Sequence, residues 1–110
     1  MVRRLFPRTN ISLKFEYQAQ LQGSEDFFSS RAVMKDISMG GLHMSEAAPI
    51  LQPDDIADFI FKFHDKVNPL IPHKIKAKGK VKCIERPTKE SSYFRIALEF
   101  LSGPFFIYAD

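Results

Sequence analysis

Alternation of apolar and polar side chains over residues 10–22 is the feature that most constrains the fold of this chain. One side of the segment is apolar and carries Ile11, Leu13, Phe15, Tyr17, Ala19 and Leu21. The other side is polar and carries Ser12, Lys14, Glu16, Gln18, Gln20 and Gln22. A period of two residues places successive side chains on opposite faces of a strand. The segment is therefore predicted to be a β-strand with one buried face and one wet face.

Five more segments are predicted to be strands, over residues 27–37, 42–44, 57–63, 74–85 and 93–101. The segments between them are rich in glycine, proline and short polar residues, which favour turns and loops. Weak alternation near Ser29 and Ser30 suggests a bulge in the second strand. In the fifth strand the alternation turns Ile75, Ala77, Gly79, Val81 and Cys83 inward and the lysines outward. Residues 104–110 are expected to form a short helix at most.

A set of short strands, each with one apolar face, predicts an all-β fold in the form of a six-stranded antiparallel barrel. Closure of the sheet would remove the exposed strand edges that promote aggregation. The length of 110 residues fits one domain, and a hydrophobic content of 45% with 11 phenylalanines can supply its core.

Charge and cysteine content limit the possible partners and compartments. The formal net charge of +3 favours an anionic partner without choosing among nucleotide, nucleic acid and membrane surface. Cys83 is the one cysteine, so no intramolecular disulfide can form. No apolar run is long enough to span a membrane, and none follows Arg3 and Arg4 as in a signal peptide. We therefore expect a cytoplasmic protein.

Two short motifs have the chemistry to bind a nucleotide that contains guanine and phosphate. The first places Arg4 and Arg8 four positions apart; arginine can bond phosphate, bond the guanine O6 and N7 edge, and stack on a base. In the second, Asp36 could accept hydrogen bonds from guanine N1–H and N2–H, and Ser38 offers a hydroxyl group. Gly41, after Gly40, could adopt a positive φ and let backbone N–H groups approach an anion.

In this order and on an all-β chain, the two motifs resemble the RxxxR and D/N-x-S-x-x-G motifs of PilZ domains, bacterial receptors for cyclic di-GMP. The resemblance implies a mobile N-terminal arginine segment over residues 1–9 and a PilZ-like barrel over residues 10–110. It implies ligand contacts from Arg4, Arg8, Asp36, Ser38 and Gly41. It also implies that ordering of the arginine segment on the barrel relays the signal to a downstream effector protein.

Two other functions remain open from the sequence. One is a β-barrel adaptor that binds another protein independently of any ligand. The other is a nucleic-acid-binding barrel that uses five lysines at alternate positions: Lys74, Lys76, Lys78, Lys80 and Lys82. Such a stripe of cations would suit the backbone of nucleic acid or anionic lipid. The residues between these lysines include no aromatic side chain for stacking on bases, so we do not expect nucleic acid to be the partner.

Enzymatic and metal-dependent functions are not expected. His43, His64 and His73 lack metal-ligand spacing and have no cysteine or acidic cluster beside them. The sequence contains no nucleophile elbow, phosphate-binding loop or dinucleotide fingerprint. We expect no catalytic residues, no metal and no cofactor, with cyclic di-GMP as a ligand rather than a substrate.

Overall fold

The computed structural model describes residues 13–64 and 72–108, and within them the chain forms six β-strands. These are β1 (Leu13–Leu21), β2 (Phe27–Ile37), β3 (Gly41–Glu46), β4 (Ile56–Phe63), β5 (Lys74–Glu85) and β6 (Phe94–Ile107). They close into a barrel in the order β1-β2-β3-β6-β5-β4, and each pair of neighbours is antiparallel. The predicted six-stranded antiparallel barrel is confirmed.

The core fills the barrel interior with inward-facing side chains from all six strands. The buried apolar residues on the strands are Phe15, Tyr17, Ala19, Ala32, Met34, Ile37, Leu42, Met44, Ala57, Phe59, Phe61, Phe63, Ile75, Ala77, Val81, Ile96 and Leu98. The alternation in β1 and β4 holds along each strand, because one face of the sheet stays in the core and the other faces solvent.

Aromatic rings pack against one another within β4 and between β1 and β4. The rings of Phe59 and Phe61 are stacked with centroids 5.4 Å apart, and Phe15 meets Phe61 edge-on at 5.7 Å. Aromatic pairs in these geometries contribute about 0.5–1.5 kcal/mol beyond the area they bury. The phenylalanine-rich composition thus gives a small barrel a closely packed wall.

The strand β5 does not keep its alternation to the end. Its pairing with β6 shifts register between Val81 and Cys83, and Cys83 is exposed. The prediction that Cys83 faces inward is therefore wrong. A bulge inserts one residue and reverses the facing of every side chain beyond it.

Two other local expectations differ from the structure. Ser29 and Ser30 pair regularly with Gln18 and Tyr17, so the suggested bulge is not there; β2 shifts register later, between Met34 and Asp36. The strand β6 does not end at residue 101 but continues to Ile107, beyond Gly103. With a φ of +87°, Gly103 adopts a conformation that suits glycine, and the strand continues past it.

No helix in the described part of the chain is long and apolar enough to cross a membrane.

Candidate functional site

A bulge near the end of β2 determines where Asp36 points. The pairing of β2 with β3 shifts register between Met34 and Asp36, and both Lys35 and Asp36 are exposed although they are consecutive. Without the shift, one of the two side chains would point into the core, because strand side chains alternate. The bulge thus keeps Asp36 on the outer face of the barrel.

Asp36 begins a row of outward-facing residues that crosses four strands. Asp36 pairs with His43, His43 pairs with Ala97, and Ala97 pairs with Cys83. This row crosses a groove of about 380 Å³, here called the Asp36 groove. Its lining residues are Lys35, Asp36, His43, Met44, Ser45, Cys83, Glu85, Arg95, Ile96 and Ala97. The small side chain of Ala97 leaves room between its larger neighbours His43 and Cys83.

The charged groups of the Asp36 groove are open to solvent. Oδ2 of Asp36 lies 3.6 Å from Nδ1 of His43, and their side chains are 48% and 64% exposed. A guanidinium nitrogen of Arg95 lies 3.7 Å from a carboxylate oxygen of Glu85. Exposed pairs such as these stabilise a fold very little. A ligand can therefore replace either partner at small cost.

The loop after Asp36 is held by its own hydrogen bonds. The backbone N–H of Ser38 donates to the carbonyl oxygen of Gly41 at 2.9 Å, and the N–H of Gly40 donates to Oγ of Ser38 at 3.3 Å. The N–H of Phe100 on β6 donates to the carbonyl of Gly40 at 2.9 Å. These hydrogen bonds fix the position of Ser38, which lies two residues after Asp36. Ser38 does not line the Asp36 groove.

Gly41 is needed for close packing between strands. A Cβ atom at this position would overlap the backbone carbonyl oxygen of Leu98 on β6. The positive φ that a glycine would allow is not used at Gly41: within residues 13–64 and 72–108 the glycines with positive φ are Gly23 and Gly103. Steric packing therefore explains why residue 41 is glycine, without any role for a ligand.

The structure brings together only part of the predicted site. Asp36, Ser38 and Gly41 belong to one hairpin, whereas Arg4 and Arg8 lie outside the described residues. Sequence reasoning missed His43 and Arg95, although alternation with the buried Leu42, Met44 and Ile96 would have turned both outward. It had no means of finding Cys83, whose position depends on the bulge.

A second groove, of about 540 Å³, lies beside β1 and the end of β3 and is called the Glu46 groove. Its lining includes Phe15, Arg31, Glu46, His64 and Tyr93. Glu46 is 2% exposed, and its Oε1 accepts a hydrogen bond of 2.6 Å from the Tyr17 hydroxyl. Its Oε2 is buried without a hydrogen-bond partner in the described structure.

Burial controls the protonation of this pair. Desolvation raises the pKa of Glu46, and the hydrogen bond from Tyr17 and the nearby Ser30 hydroxyl lower it by less. Burial also raises the pKa of Tyr17, and the neighbouring carboxyl group of Glu46 adds to that shift. The pair is a structural feature of the barrel interior, and it holds a proton more tightly than exposed groups would.

No group of three or more histidine, cysteine or acidic side chains that could hold a metal ion occurs among the described residues. Comparisons of the chain with models of protein families, with curated proteins and with solved structures find no match.

Proposed function

We propose that this protein is a PilZ-like receptor for cyclic di-GMP and that the ligand binds over the Asp36 groove. The observation that carries the proposal is the exposed carboxylate of Asp36, turned outward by a bulge and set in a groove with Arg95 and His43. The groove volume of about 380 Å³ is within the usual range for small-molecule sites.

The chemistry of the groove fits a guanine nucleotide. Asp36 accepts hydrogen bonds from guanine N1–H and N2–H, the donor edge of the base. Arg95 is 72% exposed and can leave Glu85 to bind a phosphate. His43, between Asp36 and Ala97, offers a flat ring against which a base can stack. One groove thus offers an acceptor, a cation and a stacking surface.

The N-terminal motif supplies the remaining contacts in the proposal. Arg4 and Arg8 bind the phosphates and the O6 and N7 edge of guanine, from the side of the ligand that faces away from the barrel. The hydroxyl of Ser38, two residues after Asp36, donates a hydrogen bond to the phosphate or the base. Gly41 holds β3 against β6 and so keeps the hairpin in place.

The signal passes to a partner through the N-terminal segment. Ligand binding orders residues 1–9 over the Asp36 groove and creates a new surface on the outside of β2, β3 and β6. A downstream effector protein recognises that surface. The proposal implies a protein of the bacterial cytoplasm, where cyclic di-GMP acts as a second messenger.

Titration calorimetry of the full chain with cyclic di-GMP tests the proposal. Arg8→Ala and Asp36→Ala are each expected to weaken binding at least about tenfold, which corresponds to about 1.4 kcal/mol. Asp58→Ala is the matched control: it removes an exposed aspartate from β4, outside the Asp36 groove, and should leave the affinity unchanged.

Two results would contradict the proposal. One is that titration with roughly tens of micromolar cyclic di-GMP gives no heat of binding, while circular dichroism shows an intact β fold. The other is equal binding by the wild-type protein and Asp36→Ala. The first result would favour the ligand-independent adaptor.

A further inference from the structure

A mixed basic and apolar surface lies on the outside of β4, β5 and β6, away from the Asp36 groove. The register of the three strands forms two rows across it. Lys62 pairs with Lys74, and Lys74 pairs with Ile107. In the next row Ile60 pairs with Lys76, and Lys76 pairs with Phe105. These six residues are called the basic apolar patch.

The lysines of the patch form no ion pair with any residue that the structure describes, so they can meet an external anion. Within the described residues, Lys62, Lys74 and Lys76 form no ion pair, whereas Lys80 and Lys82 on the same strand lie near Asp54 and Glu99. Side chains directly opposite on paired strands have Cβ atoms about 4.5–5.5 Å apart. Lys62 and Lys74 therefore repel each other. Glu16 on β1, which pairs with Lys62 on the other side, offsets part of that repulsion, and an anion bound between the two lysines would offset more.

Two of the three apolar members of the patch, Phe105 and Ile107, are exposed, whereas Ile60 is half-buried. Phe105 is 62% exposed and Ile107 is 38% exposed. They lie on the outer face of β6, while Phe106 between them packs against the core. Phe105 and Ile107 lie beside lysines that have no ion pair among the described residues, and a contiguous patch of this kind favours an interaction surface.

We propose that the basic apolar patch binds the surface of a membrane that contains anionic phospholipids. The lysines attract the anionic headgroups, and Phe105 and Ile107 enter the boundary between headgroups and acyl chains. Isoleucine has no flat face on which a base can stack, so the aliphatic part of the patch favours lipid over single-stranded nucleic acid. The patch shares no residue with the Asp36 groove, and its function does not require cyclic di-GMP.

Cosedimentation of the full chain with lipid vesicles tests this inference in the absence of nucleotide. The protein should sediment with vesicles of phosphatidylcholine that contain about one third phosphatidylglycerol and should stay in solution with phosphatidylcholine alone. Rising salt should release it, because salt screens the attraction between lysines and headgroups.

Two variants with matched controls localise the binding. Lys76→Gln should weaken binding to the anionic vesicles about fivefold, and Lys89→Gln, in an exposed turn, should not change it. Phe105→Ser should weaken binding at least about tenfold. Its control is Phe27→Ser, since Phe27 is 63% exposed but lies on β2, outside the patch.

The inference is overturned if the wild-type protein binds neutral and anionic vesicles equally, or binds neither. It is also overturned if Phe105→Ser and Phe27→Ser behave alike. A third contrary result is tight binding of a generic single-stranded oligonucleotide that depends on Lys76 and Phe105 and displaces the vesicles. That result would assign the patch to nucleic acid.

Discussion

Replacing Tyr17 by phenylalanine removes one hydroxyl group from the barrel interior and tests the buried pair directly. Tyr17 is 1% exposed, Glu46 is 2% exposed, and the hydrogen bond between them measures 2.6 Å. The ring stays in place, so aromatic contacts with Phe59 and Phe61 are kept. The change therefore isolates the hydrogen bond from the packing.

The expected loss of stability is large for the removal of one oxygen atom. Oε2 of Glu46 already has no hydrogen-bond partner among the described residues, and the variant leaves Oε1 without its bond from Tyr17. An unpaired buried polar group costs about 1–3 kcal/mol, and more when it is charged. We expect Tyr17→Phe to lower the free energy of unfolding by about 2–3 kcal/mol near neutral pH.

The pH dependence has a defined sign. Because burial raises the pKa of Glu46, the folded protein holds its proton more tightly than the unfolded chain does. The stability that this proton contributes is fully present below the ordinary carboxyl pKa of about 4.3 and is lost as pH rises through the raised pKa. Tyr17→Phe removes a bond that stabilises the charged carboxylate, so its destabilising effect should grow over that same pH interval.

Urea unfolding followed by far-ultraviolet circular dichroism measures these changes, since the chain has no tryptophan. Tyr93→Phe is the control, because Tyr93 is 48% exposed and should tolerate the loss of its hydroxyl. If both variants lie within about 0.5 kcal/mol of the wild type, the buried hydrogen bond is not important and the reasoning is refuted. The double variant Tyr17→Phe with Glu46→Met should recover stability relative to Tyr17→Phe, because no buried carboxyl group remains unpaired and the half-buried Ser30 hydroxyl can bond water.

Three further substitutions or reactions probe the barrel. Gly41→Ala should cost about 1–3 kcal/mol in urea unfolding, because the added methyl group meets the Leu98 carbonyl. Gly40→Ala should cost little, because its methyl group would make only an ordinary contact with Oγ of Ser38 at 3.9 Å. Equal effects would contradict the steric role of Gly41. Phe59→Ala should lower the free energy of unfolding by about 3–5 kcal/mol in the same assay, since Phe59 is 1% exposed. Cys83 should react with a thiol reagent in the native protein, and saturating cyclic di-GMP should slow the reaction; a protected Cys83 without ligand would place it in the core.

Periodicity predicted most of the fold because the barrel keeps two environments, one apolar and one wet. In β1 and β4 the alternation persists, so both the strand and its buried face follow from the residues. The predictions failed where the register between neighbouring strands shifts. The bulges near Asp36 and Cys83 change which side chains face out, and no local sequence signal distinguishes them from continuous alternation.

The extent of β6 was missed for a related reason. A glycine and a proline in succession usually end a strand, and residues 102–104 are Ser-Gly-Pro. In the barrel the pairing of residues 105–107 with Lys74, Ile75 and Lys76 continues the strand. That pairing is a contact between distant parts of the sequence, so local propensity does not reveal it. The basic apolar patch, which combines Phe105 with lysines of β5, was hidden for the same reason.

The candidate site followed from the sequence only in part. Asp36 was predicted from its motif, and the structure adds the groove, His43 and Arg95 around it. Gly41 does not use the positive φ that the sequence allowed there; close packing against Leu98 accounts for the glycine. Contributions from Arg4 and Arg8 remain predictions.

The most direct test of the proposed function is a nuclear magnetic resonance titration of the isotope-labelled full chain with cyclic di-GMP. The backbone amide signals of Asp36, His43, Arg95 and Ala97 should shift together, and those of Gln20 and Phe27, outside the Asp36 groove, should not. Shifts confined to another face, or no shifts from a folded protein at saturating nucleotide, would contradict the account.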